Sequence, residues 1–297
     1  MTSGTNEGES VSDPPSDEGE PVPGRAVVLG AGGIVGTAWT AGLVSGLRRE
    51  GTDLGRADLI VGTSAGAIVG ALLAAGDDVE RLADPPPFLE QENPPPEPDR
   101  AGPASVLAVL ADPTLDPEAA RRRVGRLACD ADTGTEQAHI ARMGSLIAVR
   151  EWPARRLLIT AVDVDTGEPV VWDRSSGVPL PTAVASSTAM PGAYPPITID
   201  GRRYMDGGIR SGTNADLGAG AGVLVVVDPF AHLFPRNHLE RELAAARVRR
   251  VVTIEPDRDA VDVLGPDPLD GARRRPAYRA GERQAVEVAD RLRRAGW

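Results

Sequence analysis

The chain has 297 residues, enough for one domain with a large core or two small ones, and a net charge of −11. Six acidic residues and no Lys or Arg fall in the first twenty, so the remainder carries −5. An acidic body lacks the basic footprint of a nucleic-acid binder, and a single cysteine, Cys129, excludes a disulfide framework within the chain.

That cysteine usage suits a reducing compartment. The N-terminus shows no basic segment followed by an apolar run, and no stretch is apolar enough to span a bilayer. The expectation is a soluble, cytoplasmic protein that touches a membrane only transiently at its surface.

Residues 1–24 are Gly, Ser, Glu, Asp and Pro with almost nothing apolar, which predicts a disordered acidic tail. Arg25 to Leu29 reads as a buried strand ending at Gly30, followed by a small-residue helix over 34–50. Asp58 to Val61 is a second strand, leading into an Ala-rich helix over 65–75. Strand–turn–helix twice over, with apolar strands, predicts a parallel sheet covered on both faces. Pro85–Pro87 and Pro94–Pro96 make 84–100 an extended loop. Residues 103–149 carry helical patterning and are expected to form an insertion capping a site. Its Arg121-Arg122-Arg123 run is read as a solvated face.

Arg155 to Val162 is the next strand, and Val170 to Trp172 pairs back on it across the turn Asp163–Gly167. Ile197–Asp200 and Arg202–Met205 flank Gly201 as a second hairpin. Val223–Val227 is the most apolar strand, and Val251–Ile254 is the last. A helix over 277–295 ends the chain. The domain reading is a main body over 25–256, with the insertion at about 84–150, and a helical extension over 257–297. With only 3% aromatics, the core must be built from Ala, Val, Leu and Ile.

Three motifs carry chemistry. Gly62-Thr63-Ser64-Ala65-Gly66 is a G-x-S-x-G between a predicted strand and a predicted helix. Its glycines allow a sharp turn that lifts the Ser64 hydroxyl clear of the sheet, facing the positive end of the helix dipole. Gly30 to Gly36 is a glycine-rich loop in the same strand-to-helix context, exposing N–H groups to a phosphate or to a developing oxyanion. Asp206-Gly207-Gly208 ends the second hairpin with a carboxylate on a turn. Together they supply a nucleophile, an oxyanion cradle and a base.

These motifs, in this order, resemble those of the patatin-like phospholipase family, bacterial type. The matching positions are Gly32 to Gly36, Gly62 to Gly66 and Asp206 to Gly208. The stretch Ala185–Pro191, Tyr194-Pro195-Pro196 and Asn214 add to the likeness, which covers about residues 25–230. Ala31 departs from it, standing where many members have glycine. The resemblance implies an α/β three-layer sandwich with a mainly parallel central sheet. It implies a carboxylic ester hydrolase of lipid degradation, cleaving a lipid or phospholipid ester through a Ser64–Asp206 dyad and an acyl-enzyme, with no cofactor and no metal. Gly32, Gly33 and Ile34 would supply oxyanion N–H donors, with Gly36, Gly62, Gly66, Gly207 and Gly208 supporting the turns.

Rival readings are a Ser64–Asp206–His232 triad, a nucleotide or phosphate site on the Gly30–Gly36 loop, and a catalytically silent scaffold. Against the triad, only one strand precedes the one leading into Ser64, and His232 and His238 sit in a polar loop entering a helix. His139, in the helical insertion, is expected to face solvent. Against a dinucleotide fingerprint, Val35 stands where the third glycine belongs. Asp163 and Asp165 are read as turn residues, not a metal pair.

Overall fold

The computed structural model describes residues 24–85, 101–233 and 237–297. The predicted acidic tail and most of the Pro-rich loop lie outside the described residues. Among the described residues, eight strands form one sheet: β1 (Arg25–Leu29), β2 (Leu59–Gly62), β3 (Arg156–Asp163), β4 (Pro169–Trp172), β5 (Ile197–Ile199), β6 (Arg202–Asp206), β7 (Val223–Val227) and β8 (Arg250–Ile254). Their order is β5-β6-β3-β2-β1-β7-β8, with β4 also pairing β3. Strands β3, β2, β1, β7 and β8 are mutually parallel, while β4, β5 and β6 add antiparallel pairs.

The unbroken apolar runs of the central strands follow from burial on both faces. Along β1, Val27 and Leu29 join one core, while Ala26 and Val28 join another on the opposite face. Val225 and Val227 of β7 repeat the split against Leu224 and Val226. The larger core lies under α1 (Gly33–Arg49), α2 (Ala65–Ala75) and the C-terminal helix. Small residues let two of these helices pack closely. A Cβ on Gly42 of α1 would come within 1.9 Å of the Tyr278 carbonyl oxygen, and one on Gly281 within 2.1 Å of Trp39 O.

The insertion supplies α3 (Ala101–Leu110), α4 (Pro117–Asp130) and α5 (Glu136–Ile147). Asp116 caps α4 by accepting from Ala119 N, and Thr135 caps α5 by accepting from Ala138 N. Two further helices carried no clear periodicity in the sequence, α6 (Leu180–Ser187) and α8 (Arg258–Leu264), while α7 (Asn237–Ala246) is the helix expected after the polar loop. The two span 8 and 7 residues, below the length at which a 3.6-residue pattern shows. The last helix, α9, runs Arg274–Arg294.

One feature of the register positions the site. Ile159 of β3 pairs with Gly62 on one side and Trp172 on the other, and Ala161 pairs with Asp206 and with Val170. Strand β4 therefore takes one edge of β3, and β2 and β6 share the other. Strand β2 ends where β6 arrives from the opposite direction. The chain leaving β2 at Thr63-Ser64 and the chain leaving β6 at Asp206 meet there.

Candidate active site

Ser64 follows β2 directly and precedes α2, with φ 53° and ψ −116°. A side-chain-bearing residue in that region costs about 1–3 kcal/mol and persists only where its surroundings enforce it. Here they do. The Gly66 N–H donates to Gly30 O at 3.1 Å and to Thr63 O at 2.8 Å. A Cβ on Gly66 would lie 1.9 Å from Leu29 O, so α2 closes on β1 only because that position is glycine. The Ser64 N–H donates to the Ser187 hydroxyl at the end of α6, at 2.9 Å. Beneath the turn, Thr160 donates to the Thr63 hydroxyl at 2.9 Å and Asn214 Nδ2 donates to it at 3.0 Å. Asn214 is in turn held by Arg210, which also forms a two-pronged pair with Asp216.

The Ser64 hydroxyl donates to Asp206 Oδ2 at 2.7 Å. The second oxygen, Oδ1, accepts from Gly208 N at 2.7 Å. Asp206 is 5% exposed. Burial pushes its carboxyl up from 3.8 to about 6, against the opposing pull of the Ser64 and Gly208 hydrogen bonds. Gly207 lets the strand end turn against β3, since a Cβ there would meet Thr160 Oγ1 at 2.2 Å.

The histidines stand elsewhere. Neither Ser64 nor Asp206 bonds a histidine among the described residues. His139 is 3% exposed, not solvent-facing as its place in a polar helical insertion suggested. It stacks on Tyr194 with ring centroids 4.5 Å apart, and its Nε2 lies 3.0 Å from the Thr188 hydroxyl. Burial pushes it down to about 3, so it stays neutral. Asp163 behaves as a turn residue, accepting from Asp165 N, Thr166 N and the Thr166 hydroxyl, with Arg202 at 2.9 Å.

The Gly30–Gly36 loop lies beside Ser64 on the same cavity. Of the expected oxyanion donors, Ile34 differs: its N–H donates to Pro268 O at 2.8 Å, and Val35 N donates to the same oxygen at 3.2 Å. The N–H groups of Gly32 and Gly33 take no hydrogen bond among the described residues. The Ala65 N–H, directly after Ser64, is equally unoccupied. Sequence reasoning did not single out Ala65, although residue i+1 of a nucleophile elbow is a recurrent donor. The two N–H groups engaged by Pro268 also weigh against the nucleotide reading, which needs the start of α1 open to a phosphate.

Ser64, Asp206, Gly32 and Gly33 line a cavity of about 640 Å³. Its walls are largely apolar: Ile68 from α2, Val106, Leu107 and Leu110 from α3, Met143 and Leu146 from α5, and Met190, Ile209 and Phe230. Leu107 and Leu233, both on its lining, are about half exposed. A more open cleft of about 550 Å³ lies at the other end of β1 and β7, lined by Arg25, Arg56, Asp58, Arg249 and Arg250, and holds none of the motif residues.

A family profile described as "Patatin-like phospholipase" matches residues 27–218. The chain belongs to the patatin-like phospholipase family. Proteins named as uncharacterized NTE family proteins, from Mycobacterium bovis and from Mycobacterium tuberculosis, are each 30% identical over 207 residues, which cover 67% of this chain and 49% of theirs. The chain thus spans about half the length of the curated relatives it matches. VipD from Legionella pneumophila shares the fold, with a TM-score of 0.50 at 12% identity over 91% of this chain and 67% of that one. The patatin-like match ends before β7, so β8, α8 and α9 lie beyond it. Among the described residues of this patatin-like chain, no helix is long and apolar enough to cross a membrane.

Proposed function

We propose that this patatin-like protein is a serine acyl hydrolase that cleaves a carboxylic ester of a lipid through Ser64 and Asp206. The observation that carries this reading is the 2.7 Å hydrogen bond from the Ser64 hydroxyl to a buried Asp206 carboxylate at the polar end of an apolar cavity. Ordinary aspartate is too weak a base for serine, but a carboxylate pushed up to about 6 by burial is a better one and is still ionised at neutral pH.

In the proposed reaction Asp206 takes the Ser64 proton as Oγ adds to the ester carbonyl carbon. The carbonyl π-bond pair moves to oxygen, and that oxyanion accepts from the Gly32, Gly33 and Ala65 N–H groups, with the α2 dipole adding positive potential. Collapse breaks the ester C–O bond, and Asp206 returns its proton to the departing alkoxide oxygen. Water then adds to the acyl-enzyme with Asp206 again as base. Collapse of this second adduct frees the fatty acid and restores the Ser64 hydroxyl. The apolar walls suit an acyl chain, and the half-exposed Leu107 and Leu233 suit a substrate presented at a lipid surface.

A fluorophosphonate probe is expected to label the protein at Ser64, and Ser64→Ala to abolish both labelling and hydrolysis of a p-nitrophenyl acyl ester. Turnover surviving that substitution would end the reading.

A further inference from the structure

The loop between α8 and α9 reaches the catalytic end of the molecule, although its Pro268 lies fifty residues beyond the family match, which ends at 218. Its Pro268 carbonyl is the shared acceptor for Ile34 N at 2.8 Å and Val35 N at 3.2 Å. These belong to the set of helix N-terminal N–H groups that lack acceptors of their own, and Gly32, the residue before α1, has no side chain to cap them. The same contact bears on Gly33, whose φ is +56°: a Cβ there would lie 2.5 Å from Pro268 O.

The Gly33–Ile34 peptide is held at both ends. Its carbonyl, Gly33 O, accepts from the Thr37 hydroxyl at 2.6 Å, and its N–H donates to Pro268. The preceding peptide, which carries the unoccupied Gly33 N–H, is held too, since its carbonyl, Gly32 O, accepts from Gly36 N at 2.7 Å, so two successive pinned planes set the loop beside Ser64. The Pro268 carbonyl is itself presented by a rigid element. Proline fixes its own φ, and Asp267 Oδ1 accepts from Leu269 N at 2.9 Å, closing the turn around it.

We propose that Pro268 is a positioning residue for the oxyanion loop: its carbonyl, supplied from outside the patatin-like region, fixes the first turn of α1 so that Gly32 and Gly33 can bind the oxyanion. The proposal rests on the acyl-hydrolase reading above. It assigns the C-terminal extension a part in the chemistry, beyond its packing on α1.

The test uses the full chain with two substitutions. Pro268→Gly leaves a carbonyl in place but frees it to move. Asp267→Ala removes only the turn contact of an exposed side chain. For each, kcat and KM are measured with a p-nitrophenyl ester, together with the rate of Ser64 phosphonylation by a fluorophosphonate and the thermal midpoint. Pro268→Gly is expected to lower kcat and the phosphonylation rate together by about tenfold or more, since small misplacements of such donors cost that much. KM should stay within about twofold, because ground-state binding does not use the oxyanion donors. Asp267→Ala should move the same quantities in the same direction by less, and it decides the matter if Pro268→Gly does not fold. Unchanged kcat and labelling in a folded variant would overturn the proposal, as would a loss confined to KM or to the thermal midpoint. A rise in kcat would overturn it too, making the carbonyl an obstruction. A parent protein unlabelled at Ser64 would sink the hydrolase reading and this proposal with it, whereas a labelled parent with indifferent variants sinks only the positioning role.

Discussion

Asp206→Asn is expected to remove turnover and, at neutral pH, to make the protein more stable. Asp206 is buried, and its carboxyl is pushed from 3.8 to about 6, chiefly by burial. The folded state therefore holds the Asp206 proton more tightly than the unfolded chain does, and ionised Asp206 opposes folding. Its favourable contribution is complete below about pH 4 and is lost as pH rises towards 6, remaining lost at pH 7 and 8. At 1.36 kcal/mol per pKa unit the gap corresponds to about 3 kcal/mol. Asparagine never ionises, and the Ser64 O–H that loses its acceptor lines the cavity, where water can accept from it. Its Oδ1 can accept from Gly208 N, as the aspartate does, and its Nδ2 can donate to Ser64 Oγ. The stability difference between variant and parent should be small near pH 4 and grow to about 3 kcal/mol in favour of asparagine by pH 7.5. Asp228, also raised to about 6 by burial, titrates in both proteins and cancels in the difference. Urea unfolding of both proteins at pH 4.5, 6 and 7.5 measures it. A difference that does not change with pH, or a variant less stable than the parent at pH 7.5, would refute the idea that buried charge is what Asp206 contributes.

The same titration should appear in catalysis: kcat/KM is expected to rise through about pH 6 as Asp206 becomes a base, falling about tenfold per pH unit below that. A midpoint near 4 in a pH–rate profile would contradict it. His232→Asn should keep kcat/KM within about threefold, because its exposed ring takes no part in the hydrogen bonding between Ser64 and Asp206; a loss of a hundredfold or more would restore the triad reading. Gly66→Ala should cost about 3 kcal/mol or more, the upper range for overpacking, because its Cβ would sit 1.9 Å from Leu29 O. Thermal melting should show a drop of about 6 °C or more, and a near-parental midpoint would mean that α2 is not locked against β1.

The central strands were legible in the sequence because β1, β2 and β7 are buried on both faces, and such strands must be apolar throughout. The turn at Ser64 was legible because only glycine tolerates the contacts at 62 and 66. The order of Gly32–Gly36, Ser64 and Asp206 along the chain pointed to the family, and the profile match over 27–218 shows it. Other features left no local trace. His139 reads as a polar helix residue, and only the packing of α5 against Tyr194 and Thr188 buries it. Ile34 reads as an oxyanion donor, and only a carbonyl from more than two hundred residues away occupies it.

What the sequence determined by itself is thus the set of parts. Glycine spacing and strand hydrophobicity are local consequences of steric fit and burial, and both are written in residue types. The meeting of Ser64 with Asp206 is not local. It depends on β6 running antiparallel along the half of β3 that β2 leaves free, which brings two strand ends head to head. Strand register belongs to the sheet as a whole, so only the tertiary structure decided that the serine and the carboxylate lie 2.7 Å apart.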